Sequence, residues 1–208
     1  MFELHEQIEA VDREVGSRQL EDEEAATVTL GQTLEADIAE VWDVCTNGER
    51  IPQWFLPISG ELELGGRFQL EGNAAGTIEE CEPPNGFSST WEFGGGTSWI
   101  EVRLAAMDDR QTRLELEHIL RIDDHWEKYG PGATGVGWEG AFGGLAEHLR
   151  TGQSVDSQEA MAWMASEEGR DFYTRCSRRW GDAHIAAGAD ETEAREAAQR
   201  TAAFYTGS

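Results

Sequence analysis

The chain has 208 residues, which suits one substantial domain with an appendage and leaves little room for a second full domain. Hydrophobic residues make up 39% of it, enough to fill a core, so a globally disordered chain is not expected. The 41 acidic residues outnumber the 16 basic ones, and the resulting net charge of -25 repels nucleic acid phosphates and anionic membrane surfaces. Neither nucleic acid nor a membrane is therefore expected as a partner of this acidic protein.

The N-terminal segment carries apolar residues at helical spacing. Leu4, Ile8, Val11 and Val15 follow one another at spacings of four, three and four, which predicts one amphipathic helix over residues 3 to 15. We expect this helix to pack on the domain or on a second copy of the chain. The segment has neither a basic leader nor a long apolar run, which predicts a cytoplasmic protein.

A strand and two short helices are predicted next. Alternation and β-branched residues favour a strand over residues 27 to 34. Asp37 offers an N-cap, with Glu40 three residues later, and a short helix with one buried face follows it. A second short helix is predicted around residues 48 to 55.

Short alternating segments fill the chain from Ile58 to Asp123. Turn signals such as Gly65-Gly66 and Gly94-Gly95-Gly96 separate them, which predicts an antiparallel meander that forms one curved sheet. Apolar residues alternate with charged ones, so one face of the sheet should be buried and the other wet, with Ile119 on the wet face. The residues predicted to face inward are Phe68, Leu70, Ile100, Val102, Leu104, Leu114, Leu116, His118 and Leu120.

Helical periodicity dominates the rest of the chain. A long helix is predicted over residues 131 to 150, where it can lie across the sheet, and three helices follow it. These last helices carry their own aromatic residues, so the tail should pack on the domain. The predicted division is an N-terminal helix over 1–26, a sheet-and-helix domain over 27–150 and a helical extension over 151–208.

Several motifs in the middle of the chain occur in a recognisable order. They are V-W-D-V-C-T-N-G-E-R-I-P-Q-W-F from Val41, L-G-G-R-F from Leu64, E-C-E-P-P from Glu80, S-T-W-E-F from Ser89 and G-V-G-W-E-G-A-F-G-G-L-A-E-H-L up to Leu149. In that order and spacing they resemble the SRPBCC (START-like) superfamily, and within it the bacterial branch similar to the activator of the ninety-kilodalton heat-shock-protein ATPase. The match covers about residues 27 to 150.

The resemblance implies an α+β, helix-grip fold. In this fold a curved antiparallel sheet wraps around a long helix, here with extra N- and C-terminal helices. Proteins on this fold bind lipids, act as cyclases or assist chaperones, so the function must be argued from the residues themselves.

The space between sheet and long helix is the predicted functional site. Apolar walls with a few inward polar groups are the usual setting for small ligands, although each wall residue could equally be core. We therefore predict a non-enzymatic carrier or sensor of a small apolar molecule, with no cofactor. The predicted lining residues are Trp54, Phe55, Phe68, Leu70, Ile78, Trp91, Phe93, Ile100, Val102, Leu116, His118, Trp138 and Phe142.

His118 is the titratable residue of that set. It falls in phase with Leu116 and Leu120, so it should point inward, where an imidazole needs a hydrogen-bond partner. It is a structural histidine, a group that orients a ligand, or the acid or base of a cyclase, dehydratase or hydrolase; no other catalytic residue is predicted. The resemblance implies one more alternative, a regulator of a chaperone ATPase that binds a protein partner.

Metal and dinucleotide sites are not predicted. Asp123, Asp124 and His125 superficially resemble metal ligands but form no convergent set, and we expect the aspartates to end a strand and solvate a turn. Residues 135–140 match G-x-G-x-x-G, but an antiparallel meander precedes them instead of a parallel strand. These glycines are instead predicted to let the long helix approach the sheet or to leave room for a bound molecule.

The cysteines and the basic residues of the tail complete the predictions. Cys45, Cys81 and Cys176 are odd in number and lack a C-x-x-C pattern, which predicts reduced, mostly buried thiols. Salt bridges to the abundant acidic residues are expected for the arginines between residues 175 and 179. The N-terminal helix and the tail are also surfaces that could pair two copies as a homodimer.

Overall fold

A computed structural model describes residues 4–20 and 23–207 of the chain. The strands within these residues form one sheet in the order β1-β2-β8-β7-β6-β5-β4-β3. They are β1 Asp12–Leu20, β2 Glu23–Leu34, β3 Ile58–Gly60, β4 Arg67–Leu70, β5 Ala75–Glu82, β6 Gly86–Phe93, β7 Gly96–Ala106 and β8 Thr112–Arg121. The pairs from β3 to β8 are all antiparallel, as the meander predicts.

The helices begin where the sequence offers capping groups. Asp37 Oδ1 accepts a hydrogen bond from Glu40 N at 2.9 Å, as predicted, and Asp156, Ser166 and Asp190 cap later helices in the same way. The helices are α1 Leu4–Ala10, α2 Ile38–Thr46, α3 Asp124–Tyr129, α4 Gly132–Thr151, α5 Ser157–Met164, α6 Glu167–Ala186 and α7 Glu191–Thr206. None of the helices in the described residues combines the length and the apolar character needed to cross a bilayer.

Two helix predictions need correction. The helix predicted over residues 3 to 15 ends at Ala10, and strand β1 begins at Asp12; residue 3 itself lies outside the described residues. Val15 and Gly16 are poor helix formers, and the apolar spacing does not reveal that this segment lies beside β2 in the sheet. The helix predicted around residues 48 to 55 is a single 3₁₀ turn, Ile51–Gln53.

The chain divides into two compact units. The first comprises residues up to Leu30, Arg121–Gly140 and the residues from Asp156 onward, and the second comprises Gly31–Leu120 and Ala141–Val155. Strand β2 and helix α4 therefore contribute residues to both units. The predicted division at residues 26 and 150 stays a prediction.

The first unit is built around α6 and α7. Phe172, Cys176 and Trp180 of α6 are fully buried, and α7 faces α6 with small residues. A Cβ on Gly181 would lie 3.0 Å from the Cβ of Ala198, so the absence of a side chain at Gly181 lets these helices approach closely.

The glycines of residues 135–140 were predicted to let α4 approach the sheet or to leave room for a bound molecule, but Gly135 and Gly137 instead lie against aromatic residues of the first unit. A Cβ on Gly135 would lie 2.1 Å from Cε2 of Trp180, and a Cβ on Gly137 would lie 3.0 Å from the hydroxyl of Tyr205. Tyr205 in turn donates a hydrogen bond to the Ala133 carbonyl oxygen at 2.6 Å. The small residues of α4 therefore make room for side chains of α6 and α7.

The second unit contains strands β3 to β8, and its sheet has the predicted buried and wet faces. In β8, Leu114, Leu116 and His118 are buried, whereas Glu115 and Glu117 between them are half exposed. Ile119 is an exception to the prediction, because it is only 2% exposed although it lies on the opposite face from His118. Trp99 of β7 lies directly opposite Ile119, and the two side chains share that face.

Candidate functional site

The buried face of the second unit's sheet carries the candidate site. Strand register places Ile78 of β5, Ser89 of β6, Ile100 of β7 and His118 of β8 in one row across the sheet. Side chains that are directly opposed on antiparallel strands lie on the same face. The row therefore sets two polar side chains, Ser89 and His118, among apolar neighbours.

His118 points inward, as predicted, and has a hydrogen-bond partner. It is 4% exposed, and its Nε2 lies 2.8 Å from Oγ of Ser98. The Ser98 hydroxyl donates to the carbonyl oxygen of Trp91 at 3.1 Å, so the neutral imidazole supplies the Nε2–H that Ser98 Oγ accepts. The Trp91 ring meets the imidazole edge to face, with centroids 6.0 Å apart.

Burial fixes the protonation state of His118. Removal from water lowers the pKa of the imidazole to about 3, because the charged form loses its hydration. The ring is therefore neutral near neutral pH and a weak base there. An imidazole in this state can orient a ligand by hydrogen bonding, and it is poorly matched to general base catalysis, whose optimal pKa lies near the working pH.

Ser89 is a member of the site that the sequence analysis did not single out. It is fully buried, and within the described residues its Oγ has no hydrogen-bond partner. The sequence did contain a pattern that indicates its inward position. Ser89 lies two residues from both Phe87 and Trp91 along β6, so the three side chains share one face of the strand.

Eleven of the twelve predicted apolar lining residues occupy three kinds of position. Six are buried in the second unit, namely Phe68, Leu70, Ile100, Val102, Leu116 and Phe142. Four are half-buried there, namely Trp54, Phe55, Ile78 and Trp91. Trp138 is buried, but it belongs to the first unit. Their role as ligand contacts stays a prediction.

Phe93 does not share the buried setting predicted for it. It is 60% exposed and lies at the end of β6, opposite Gly96 in the hairpin that leads to β7. The alternation along β6 continues to Phe93, but the strand has by then left the covered part of the sheet. Phe93 is therefore removed from the candidate site.

Close packing orders the edges of the site. Trp54 stacks on Phe55 with ring centroids 5.4 Å apart, and its indole N–H donates to the Val44 carbonyl oxygen of α2 at 3.0 Å. A Cβ on Gly144 of α4 would lie 2.7 Å from the Trp54 carbonyl oxygen, so the glycine permits this close approach.

The buried polar side chains of the second unit include no Lys, Arg, Asp or Glu. In residues 31–120 and 141–155 the buried polar side chains are Gln32, Ser89, Thr112, His118 and His148. The charged residues of the sheet pair elsewhere: Arg67 with Glu92, and Arg103 with Glu101 and Glu115. The candidate site is therefore apolar with a few neutral hydrogen-bonding groups.

A buried ion pair in the first unit is the other polar feature that the sequence analysis missed. Arg13 of β1 donates from Nε and Nη2 to the carboxylate of Glu139 at 2.9 and 2.6 Å, and also to the carbonyl oxygens of Val11 and Ile8. Burial disfavours the charged guanidinium, but Glu139 outweighs it and the pKa of Arg13 is raised. Glu139 falls in phase with Val136 and Phe142 on α4, which was a signal that it is buried.

Two of the three cysteines, Cys45 and Cys176, lack the features of an activated nucleophile. All three are free; Cys176 is buried, whereas Cys45 and Cys81 are half-buried. Burial raises the pKa of the Cys45 thiol to about 12, and burial with the Glu139 charge also raises the pKa of Cys176. Both thiols stay protonated near neutral pH.

The acidic residues after β8 have structural roles. Asp123 Oδ1 accepts a hydrogen bond from Trp126 N at 2.9 Å and so caps α3, a short helix where only a turn was predicted.

The arginines of the tail form salt bridges, as expected. Arg175 pairs with Asp171, and Arg179 pairs with Glu9. Within the described residues no group of three or more metal-binding side chains converges.

The fold defines the class of the protein. A curved antiparallel sheet with one buried face, combined with a long helix, is the helix-grip arrangement of the SRPBCC (START-like) superfamily, as predicted. The chain belongs to the family described as activator of Hsp90 ATPase homolog 1-like protein, whose sequence profile matches residues 35–150. No protein with a curated functional description matches the chain in sequence.

Solved structures of similar proteins agree with this assignment. The crystal structure of CalU16 from Micromonospora echinospora is 31% identical, with a TM-score of 0.69, and the alignment covers 84% of this chain and 98% of CalU16. The solution structure of CalU16 is also 31% identical, with a TM-score of 0.72. This alignment covers 86% of this chain and 97% of CalU16. EF2215 from Enterococcus faecalis, a conserved protein of unknown function, shares the fold at 14% identity, with a TM-score of 0.61. The alignment covers 86% of this chain and 95% of EF2215.

Proposed function

We propose that the protein binds a small hydrophobic molecule against the buried face of the second unit's sheet and acts as a carrier or sensor. The observation that supports this most strongly is the composition of that face. Apolar side chains such as Phe68, Val102 and Leu116 surround a few neutral hydrogen-bonding groups around His118. Sites that bind small molecules have this composition, with apolar walls for affinity and a few polar groups for orientation.

The absence of an activated group among the named candidates favours binding over catalysis. His118 is a weak base at neutral pH, and the thiols of Cys45 and Cys176 stay protonated. We expect affinity to rise with the apolar area of the ligand, because burial of that area supplies the driving force.

Two measurements test the proposal. Native mass spectrometry of the gently purified protein should show an adduct of one small apolar molecule per chain, which denaturation releases for identification. Equilibrium dialysis should show saturable binding of naphthalene or anthracene, and tighter binding of the larger hydrocarbon. A protein that carries no adduct and binds neither hydrocarbon would contradict the proposal.

A second candidate function follows from the family assignment. The family is named for an activator of the Hsp90 ATPase, so regulation of a chaperone ATPase through a protein contact is proposed as the alternative. The purified chain, added to a purified bacterial chaperone of the ninety-kilodalton class, should then increase the rate of ATP hydrolysis. An unchanged rate over a wide range of concentrations would remove this alternative.

The cytoplasmic location and the homodimer are part of the same proposal. Free cysteines at positions 45, 81 and 176 suit a reducing compartment. The native mass spectrum that tests for a ligand also reports the mass of the assembly, and a dimer would appear at twice the mass of the chain.

A further inference from the structure

Ser89 is placed in a way that protein packing usually avoids. Within residues 31–120 and 141–155 its Oγ is the one buried side-chain nitrogen or oxygen that has no hydrogen-bond partner. A buried hydroxyl without a partner destabilises the fold, because it loses its hydrogen bonds to water and gains none. Such a group indicates that something other than the chain can supply its partner.

The neighbours of Ser89 cannot fill this role from their present positions. Its directly opposed residues, Ile78 and Ile100, are apolar. Ser98 is the nearest hydroxyl along the face, and its Oγ already bonds to His118 and to the Trp91 carbonyl oxygen. The hydroxyl of Ser89 can therefore both donate a hydrogen bond to a ligand and accept one from it.

The lack of acidic and basic side chains among the buried polar residues of this unit favours an uncharged ligand. The buried polar side chains of this unit include no Lys, Arg, Asp or Glu, and His118 is neutral. The charged residues of the sheet, such as Arg67 and Arg103, pair with glutamates on its wet face. A carboxylate or ammonium group bound beside Ser89 would lose its hydration without gaining a counter-charge, which costs far more than burial of a neutral oxygen.

The site is closed in the structure, and the residues beside Ser89 show where it can open. Ser89 itself is 0% exposed, whereas Ile78 opposite it and Trp91 two residues further along β6 are half-buried. We expect a ligand to enter by displacing these two side chains, with the backbone pairing of β5, β6 and β7 left intact.

We propose that the Ser89 hydroxyl binds a hydroxyl or carbonyl oxygen of a neutral, otherwise apolar ligand, and that this contact selects oxygenated ligands over both hydrocarbons and carboxylates. The proposal rests on the proposed binding function and specifies the ligand class of the same site. It makes Ser89 a specificity-determining residue, with the apolar neighbours supplying most of the affinity.

Three probes with the same ring system separate these ligand classes: naphthalene, 1-naphthol and 1-naphthoate. Equilibrium dialysis at neutral pH measures their dissociation constants for the wild-type protein, for Ser89→Ala and for Ser88→Ala. Ser88 is the matched control, because it is the same residue type on the same strand with its side chain on the opposite face. The melting temperature of Ser89→Ala should equal or exceed that of the wild type, since the lost hydroxyl has no partner.

The expected result is a preference that depends on Ser89 alone. The wild type and Ser88→Ala should bind 1-naphthol about fivefold more tightly than naphthalene, the gain expected from one net hydrogen bond, and should bind 1-naphthoate most weakly. Ser89→Ala should lose this preference and bind 1-naphthol no more tightly than naphthalene, because the ligand hydroxyl would then be buried without a partner.

The contrary results have distinct meanings. A Ser89→Ala variant that keeps the preference for 1-naphthol would overturn the role of Ser89 and leave the proposed function standing. Tightest binding of 1-naphthoate would overturn the neutral ligand class. Failure of all three probes to bind the wild type would overturn this inference, and it would contradict the proposed function as well if the protein also carries no adduct and does not bind anthracene.

Discussion

The first unit buries a charged pair, whereas the buried polar side chains of the second unit include no Lys, Arg, Asp or Glu. Arg13 and Glu139 hold each other with two hydrogen bonds, and two backbone carbonyl oxygens accept the other bonds of the guanidinium. In the second unit His118 and Ser98 bond to each other, while Ser89 keeps an unused hydroxyl. Full charges tolerate burial only when they are well partnered, whereas a neutral hydroxyl can be left unpaired at modest cost. This difference supports a structural role for the first cluster, and the proposed binding function depends on the second.

Removal of one charge of the buried pair should have the largest effect. Glu139→Gln leaves the Arg13 charge buried without its counter-charge, and the free energy of unfolding should fall by about 3–5 kcal/mol. Urea denaturation measures the change. Glu92→Gln is the control, because Glu92 pairs with the exposed Arg67 at the surface and such pairs contribute little. If the two variants lose similar stability, water reaches the Arg13 pair and the contrast between the units disappears.

Filling the space beside Trp180 should have the next largest effect. Gly135→Ala adds a methyl group that would lie 2.1 Å from the Trp180 ring, and the repacking should cost about 1–3 kcal/mol. Gly140→Ala is the matched control on the same helix, because its Cβ would lie 3.8 Å from the Tyr173 hydroxyl, an ordinary contact. Thermal denaturation should show Gly140→Ala unchanged or stabilised, owing to the better helix propensity of alanine. Equal melting temperatures for the two variants would show that the first unit has spare room at Trp180.

Acidification should reveal the neutral histidine of the second unit. The pKa of His118 is about 3 when folded and 6.5 when exposed, so the unfolded chain binds more protons between these values. Its contribution to stability is therefore complete above pH 6.5 and is lost as the pH falls toward 3. From pH 6.5 to about pH 5 the wild type should lose about 1–2 kcal/mol more than His118→Gln does.

The measurement for His118 is urea denaturation at a series of pH values. The exposed His125 offers a control, and His125→Gln should keep the pH dependence of the wild type. Parallel curves for the wild type and His118→Gln would mean that the folded imidazole takes up protons freely, which would end the contrast between a charged and a neutral interior.

Features encoded by short-range pattern were predictable, and those that depend on distant partners were not. The alternation of Leu114, Leu116 and His118 determined the buried face of β8, because side chains alternate along any strand. The spacing of Ile8, Val11 and Val15 predicted a helix through residue 15, but strand β1 begins at Asp12 and lies beside β2, a contact that helical spacing does not encode. The resemblance to a known superfamily supplied the helix-grip fold.

The site was predictable in part for the same reason. The inward position of His118 followed from local phase, but its bond to Ser98 joins residues 20 positions apart on different strands. The pairing of Arg13 with Glu139 spans 126 positions, and no local rule connects them. That Ser89 lacks a partner is a property of its whole surroundings, so it becomes visible only when every neighbour has been placed.

The ion pair between Arg13 and Glu139 also ties together two parts of the sequence. Arg13 lies before the segment that matches the family profile and Glu139 lies within it, so a residue of the profile depends on a partner outside it. Neither position is then free to mutate by itself. In homologous genes the two codons should change together: where the strand that carries Arg13 is missing, an apolar or small residue is expected in place of Glu139.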